Sequence, residues 1–169
     1  MPSKLLRGNT KISVVEYAAI ADPAAPTSAE LNGPLSYDIS CAVLDDYTLN
    51  LTDSDTDDTL TVCDVGNVST PTYINYEGEL TGLRDADLTD SASVYNLFFN
   101  LFMAPDVKYW LVKRIGQPQA TAYAAGQVVS LYAFNTDYPT NNAEDGSMLS
   151  MTANLKPSGE VNVNYTLGA

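Results

Sequence analysis

Asp53-Ser-Asp55-Thr-Asp57-Asp58, with Leu60 at the eighth position and Asp64 at the twelfth, is spaced in part like a calcium loop. Such a loop takes its first oxygen ligands from positions 1, 3 and 5. Two positions depart from the pattern. Asp58 stands sixth, where the turn needs glycine, and Asp64 stands twelfth, where a longer bidentate glutamate is required. No helical pattern flanks the segment, so a solvated loop or a contact between subunits is the competing reading. Glu77 and Glu79 stand two apart, about 7 Å along an extended strand, a spacing within the broad range of glycosidase carboxylate pairs. Exposed acid pairs on strands are also an ordinary surface feature.

The chain has no histidine, no Gly-x-Ser-x-Gly elbow and no glycine-rich phosphate cradle, so catalysis has little to build on and no cofactor is expected. Cys41 and Cys63, the only cysteines, cannot alone supply the roughly four ligands of a structural zinc site. Both fall in strand-like runs and are expected as buried free thiols, although a disulfide between adjacent strands is geometrically open. Lys108, Lys113 and Arg114 share a strand-like run with Tyr109, Trp110 and Leu111. They either meet an acidic partner, which an identical subunit supplies, or lie as surface bases over an aromatic strand.

The charge is unevenly placed. Residues 12–83 hold thirteen acids and no Lys or Arg, so the whole net charge of -13 sits in that block. Acid-only tracts poor in apolar residues are disordered. Here Tyr37, Ile39, Val43, Leu49, Leu51, Leu60, Val62, Ile74, Tyr76 and Leu80 fall among the acids, mostly at alternating positions. The block therefore reads as β-structure carrying a field of one sign. Such a field repels nucleic acid and anionic membrane, which excludes ordinary sequence-reading of DNA. Met-Pro-Ser-Lys-Leu-Leu-Arg-Gly lacks the apolar core of a secretory signal, and no apolar run has membrane-spanning length. A soluble product of the cytoplasm where it is made is the expectation, and three Asn-x-Ser/Thr matches are then chance.

The elements that position these residues follow from periodicity. A basic arm over residues 1–11 precedes a single domain over 12–169. Ile12–Ile20 reads as a strand, and Asp22–Pro34, with three prolines and Gly33, as a loop. Alternation predicts strands over 37–43, 47–52, 59–63 and 73–81, with Asp45-Asp46 as a tight turn and 53–58 as an acidic loop. Val94, Leu97, Phe98, Leu101 and Phe102 form the stripe of an amphipathic helix at about residues 91–104, N-capped by Asp90 or Ser91 and stopped by Pro105. Strands resume at Val107–Ile115 and Gln127–Thr136, followed by a polar loop over 138–146. Met148–Lys156 and Glu160–Leu167 read as a hairpin turning at Lys156-Pro157-Ser158-Gly159. The fold class is mainly β: an antiparallel β-sandwich or barrel of about eight strands with one flanking helix.

This layout resembles bacteriophage major tail tube proteins of long non-contractile, siphovirus-type tails. The resemblance rests on the strands, the single helix ending at Pro105, the stretch from Gly116 through Ala124-Ala-Gly-Gln-Val-Val-Ser-Leu-Tyr, then Asp145-Gly and the closing Lys156-Pro-Ser-Gly-Glu-Val-Asn-Val-Asn. It covers residues 12–167, with short motifs. It implies a virion protein without catalytic residues whose homohexameric rings stack into a tube. Double-stranded DNA passes through the lumen at genome ejection without tight binding. The implied partners are identical subunits, the tape measure protein, the tail terminator and the distal tail protein, with no membrane partner. A negative lumen suits that role, because phosphate-binding bases would act as a brake.

On this reading Asp38, Glu77 and Glu79, with neutral Thr48, Asn50 and Thr61, are candidates for the lumen wall. Lys4, Arg7 and Lys11 of the arm, Asp53, Asp55, Asp57 and Asp58 of the acidic loop, and Lys108, Lys113 and Arg114 are candidates for contacts between subunits or rings. Two rivals stand beside it. One is another phage β-domain, such as a tail terminator, neck or capsid-decorating protein. The other is an adhesin-like β-sandwich that binds glycans through tyrosine-rich loops.

Overall fold

A computed structural model describes residues 8–63, 65–66, 69–142 and 148–168. Four strands precede the main helix and four follow it. They are β1 (Thr10–Glu16), β2 (Ser36–Asp38), β3 (Thr48–Asp57), β4 (Thr70–Leu83), α2 (Val94–Phe102), β5 (Lys108–Ile115), β6 (Val128–Thr136), β7 (Thr140–Asn142) and β8 (Ser150–Thr166). A four-residue helix α1 (Ser28–Leu31), closed by a Thr27/Glu30 capping box, lies in the expected 22–34 loop. All strand pairs are antiparallel, in the order β2-β1-β5-β6-β8-β4-β3, with β7 added to β8.

The sheet curls so that its two ends approach each other. After β2 the chain hydrogen-bonds to β4 through Leu83 N to Ala42 O and Leu44 N to Thr81 O, both 2.8 Å. Lys113 of β5 reaches the open edge of β3, where its Nζ donates to Leu49 O and to Asn50 Oδ1. Inside the curl, Ile12, Val14, Leu111, Tyr132 and Phe134 pack against Leu49, Tyr76, Leu80, Met151 and Leu155, with Phe98 and Phe102 of α2 among them. Strands β1, β5 and β6 are buried on their second face too. There Val15, Trp110, Val112, Val129, Leu131 and Ala133 lie beneath Leu31, Tyr123 and Leu167. Burial on both faces explains why β5 reads as a continuous apolar run (Trp110-Leu111-Val112) where β8 alternates.

Several expectations are corrected. Lys156-Pro157-Ser158-Gly159 is not a hairpin turn. Residues 150–166 form one strand whose first part pairs with β4 and whose later part pairs with β6. The Pro-Ser-Gly step is absorbed as a bulge between the Tyr132/Val161 and Phe134/Pro157 pairs, with Gly159 at φ 90°. A positive φ suits a bulge as well as a turn. Residues 53–57 are the outer half of β3 rather than a loop, and 59–63 are loop rather than strand, leaving Leu60 and Val62 exposed. Asp45-Asp46 is a turn as expected, although β2 and β3 on either side of it lie at opposite ends of the sheet order. Both cysteines are free and exposed, since neither lies in a strand. The helix is shorter than expected and its N-cap is Ser93.

Two glycines of β4 admit aromatic rings. A Cβ on Gly78 would lie 2.6 Å from the Phe134 ring, and one on Gly82 would lie 2.5 Å from the Phe98 ring. Both rings are buried. Gly82→Ala is therefore expected to cost about 1–3 kcal/mol through overpacking, with Phe98→Leu in the same chain recovering part of the loss. Urea unfolding of the single and double variants checks this; an unchanged midpoint for Gly82→Ala would show that the ring moves aside freely.

Candidate functional site

Antiparallel register puts directly opposed residues on the same face. Glu79 opposes Thr48 on β3 and Asn154 on β8, while Glu77 opposes Asn50 and Thr81 opposes Thr152. Four of the six residues expected on a lumen wall, Glu77, Glu79, Thr48 and Asn50, thus share the outer face of one β3–β4–β8 sheet. Their neighbours Leu49, Tyr76, Leu80 and Ala153 point into the core. Both glutamates are exposed. They border a shallow depression of about 380 Å³ with Thr48, Asn154 and Lys156. Lys156 at the margin is paired with Asp137 at 3.4 Å. Thr81 and Thr152 share a hydroxyl hydrogen bond of 3.1 Å, which ties β4 to β8 within the face. Thr152 and Asn154 join this face beside the expected residues. The signal was present, as they alternate with the buried Met151, Ala153 and Leu155.

The other two candidates lie elsewhere. Thr61 sits in the exposed loop after β3. Asp38 ends β2 and is bound inside the subunit: Lys11 Nζ lies 3.2 Å away, and Ser40 and Gln119 donate to its carboxylate. Burial raises the Asp38 pKa, but the Ser40 hydrogen bonds and the Lys11 charge outweigh it, and the net shift is downward.

The bases are turned to internal use. Arg114 is 1% exposed, and its guanidinium donates to the carbonyls of Pro118, Thr121 and Ala122 and to Gln127 Oε1. It anchors the loop after β5 and presents nothing to a neighbour, which corrects the expectation for it. Lys11, already inside β1 rather than in an arm, is also buried, over the Tyr123 ring. Lys113 points to the opposite face, toward β3, and burial lowers its pKa. Lys108 pairs with Glu160 at 3.4 Å and lies over the Tyr17 ring, which stacks on Trp110. Lys4 and Arg7 fall outside the described residues.

Asp53, Asp55 and Asp57 are strung along a β3–β4 ribbon that continues beyond β8, with Asp58 just after it, and all four are exposed. A strand spreads its carboxylates instead of converging them as a calcium loop must. Among the described residues no group of three or more acidic or thiol side chains is placed to hold a metal ion. Asp57 instead accepts from the backbone and hydroxyl of Thr59, which lowers its pKa.

A family model described as phage tail tube protein matches residues 1–169. The chain belongs to that family. Membership makes this tail tube protein a structural component of a phage tail, built for self-assembly into a tube. Among solved structures it is similar to a chain of the six-fold symmetrised cryo-EM structure of the anti-feeding prophage baseplate. The identity is 12%, the TM-score 0.47, and the match covers 96% of each chain. No curated protein matches it. Among the described residues no helix is long and apolar enough to cross a membrane.

Since the folded pKa of Asp38 lies below its unfolded value, its contribution to stability is present above the ordinary aspartate range. That contribution is lost as pH falls through the depressed folded value. Asp38→Asn is expected to lower stability at pH 7 and to flatten the acid limb of a stability-versus-pH curve. Urea midpoints from pH 2 to pH 7 check it; parallel curves for both proteins would remove Asp38 from that limb.

Proposed function

We propose that this tail tube protein closes into hexameric rings that stack into the tube of a long non-contractile tail, and that double-stranded DNA passes through the lumen at ejection. The outer face of β3–β4–β8 forms the lumen wall. The observation that carries this reading is the make-up of that face: exposed Glu77 and Glu79 set among Thr48, Asn50, Thr81, Thr152 and Asn154, with its one marginal base paired to Asp137. Such a surface repels phosphate at short range and offers it no cation to release counterions against, so DNA slides without sticking.

Edge geometry supports the same reading. Strand β3, ten residues long, ends the sheet order, and its outer half continues beyond β8. Long exposed edges invite pairing with another chain, and a closed ring of identical subunits removes them. The tape measure protein, the tail terminator and the distal tail protein are the partners such a tube requires along its lumen and at its two ends. In this arrangement virions are assembled in the cytoplasm of the host cell.

Negative-stain images of concentrated protein are expected to show hollow tubes with a regular axial repeat; isolated rings or featureless monomers would overturn the tube. The Glu77→Lys/Glu79→Lys variant is expected to form tubes of normal length but to lower plaque-forming titre by about tenfold or more, because each lysine offers a phosphate contact. Normal genome delivery by that variant would sink the lumen assignment and leave the tube intact.

A further inference from the structure

The largest concavity of the subunit, about 940 Å³, is a groove between the outer half of the β3–β4 ribbon and the body. Its size falls within the range of small-molecule sites, which set a few placed polar groups in an apolar lining. On the ribbon side it is lined by Tyr73 and Ile74, which are 72% and 64% exposed, so the Tyr73 ring is largely uncovered. The body contributes Asp22 and Pro23, before α1, and Glu160 and Asn162 of β8. Trp110 belongs to the lining although it is 1% exposed, and its indole N–H has no acceptor. Ser158, between Pro157 and Gly159 of the same lining, has a buried hydroxyl that is also without a partner. Buried polar groups left unpaired cost stability, so each is a place where an entering hydroxyl gains a hydrogen bond.

The polar groups of the groove are held in place before anything enters. Asp22 Oδ1 accepts from Ala24 N at 2.9 Å. Glu160 accepts from the Tyr17 hydroxyl at 2.5 Å and pairs with Lys108 at 3.4 Å. The side-chain amides of Asn75 and Asn162 donate to Asp53 O at 3.1 Å and to Pro23 O at 2.9 Å. Tyr17 stacks on Trp110 with ring centroids 5.5 Å apart, which fixes the indole. Groups already ordered lose little freedom when a ligand binds.

We propose that this groove binds a short neutral oligosaccharide. The site belongs to the single subunit, lies beyond the tube reading and stands whether or not tubes form. Matching of donors and acceptors selects the chemistry. The carboxylates of Asp22, Asp55 and Glu160 only accept, whereas the Trp110 indole only donates. A sugar hydroxyl does both, so one ring of hydroxyls answers both kinds of group. An ammonium ligand suits the three acids but leaves the indole N–H unanswered, because it carries no acceptor. A phosphate or an acidic sugar suits the indole but meets three carboxylates. Among the described residues no base lines the groove to offset them, and Lys108 is turned to Glu160 and the Tyr17 ring. Tyr73 offers the apolar face of a sugar ring a flat surface, which Ile74 extends. Repeated along a tube, weak sites of this kind gain avidity.

Trp110, the only tryptophan of the chain, reports on the groove directly. Full-length protein is titrated with maltotriose, galactotriose and tri-N-acetylchitotriose. A saturable fluorescence change is expected with at least one of them, in the millimolar range that a few hydrogen bonds and one stacked ring provide. Tyr73→Ala, which removes an exposed ring, is expected to leave the urea midpoint unchanged and to weaken binding about tenfold. Asp22→Asn/Asp55→Asn is expected to weaken it by a similar factor. A trimer of galacturonic acid is expected to bind about tenfold more weakly than the best neutral sugar at low salt, and to recover in part at high salt.

No response to any of the three neutral sugars, or a response that Tyr73→Ala leaves unchanged, would overturn the site. Saturation by spermidine or trilysine with none by the sugars would overturn it too, and would assign the groove to a cation.

Discussion

One hydroxyl group holds the two layers of this subunit together. Tyr76 Oη, on β4, donates to Ala133 O of β6 at 2.6 Å and accepts from the backbone N–H groups of Ser158 and Gly159 of β8, both at 3.0 Å. Its three partners exhaust what a phenol can offer. They meet at the place where β8 passes from β4 to β6 and where a bulge turns two backbone amides away from the ladder. The ring beneath that hydroxyl packs edge-on against Phe134 at 5.1 Å, and Phe134 in turn lies over Gly78. The outer polar face and the β3–β4 ribbon lie on the strands that this crossing ties together.

The charge pattern acquires meaning only against that frame. Every described base folds back onto its own subunit, two of them (Lys11 and Arg114) beneath the loop after β5. Of the acids, Asp38 and Glu160 are answered internally, whereas Glu77 and Glu79 stand on an exposed polar face. Cations held inside and anions left outside give a surface more negative than the composition alone suggests. For a tube subunit this separates two tasks: internal ion pairs and hydrogen bonds pin loops and edges, and the unpaired field is left for what passes or docks.

Much of the architecture was legible in the chain. The stripe Phe98, Leu101, Phe102 is buried as its spacing requires, and antiparallel strands flank one main helix on both sides in the chain. Glu77 and Glu79 were readable as a same-face pair because strand side chains alternate with period two. The places that misled are those where one local signal serves two geometries. Pro157-Ser158-Gly159 supplies the positive φ of a turn and equally that of a bulge. The acids of 53–57 look like loop residues, yet Thr72 Oγ1 and Asn75 Nδ2, donating to the carbonyls of Asp55 and Asp53, hold them in a ribbon. Arg114 looked like a surface base because nothing in a strand pattern reveals that a distant loop will fold over it.

By itself, the sequence determined the β class, the position of the helix, the alternation that gives each strand a polar face, and the one-signed block of charge. These depend on periodicity and composition, which are local. Only the tertiary structure decided which polar faces lie side by side, which charges are spent inside the subunit, and that Trp110 lies in the wall of an acid-lined groove. Each of those depends on register between strands far apart in the chain. Register here is set by contacts such as Tyr76 with Gly159 and Lys113 with Leu49, which no local pattern encodes.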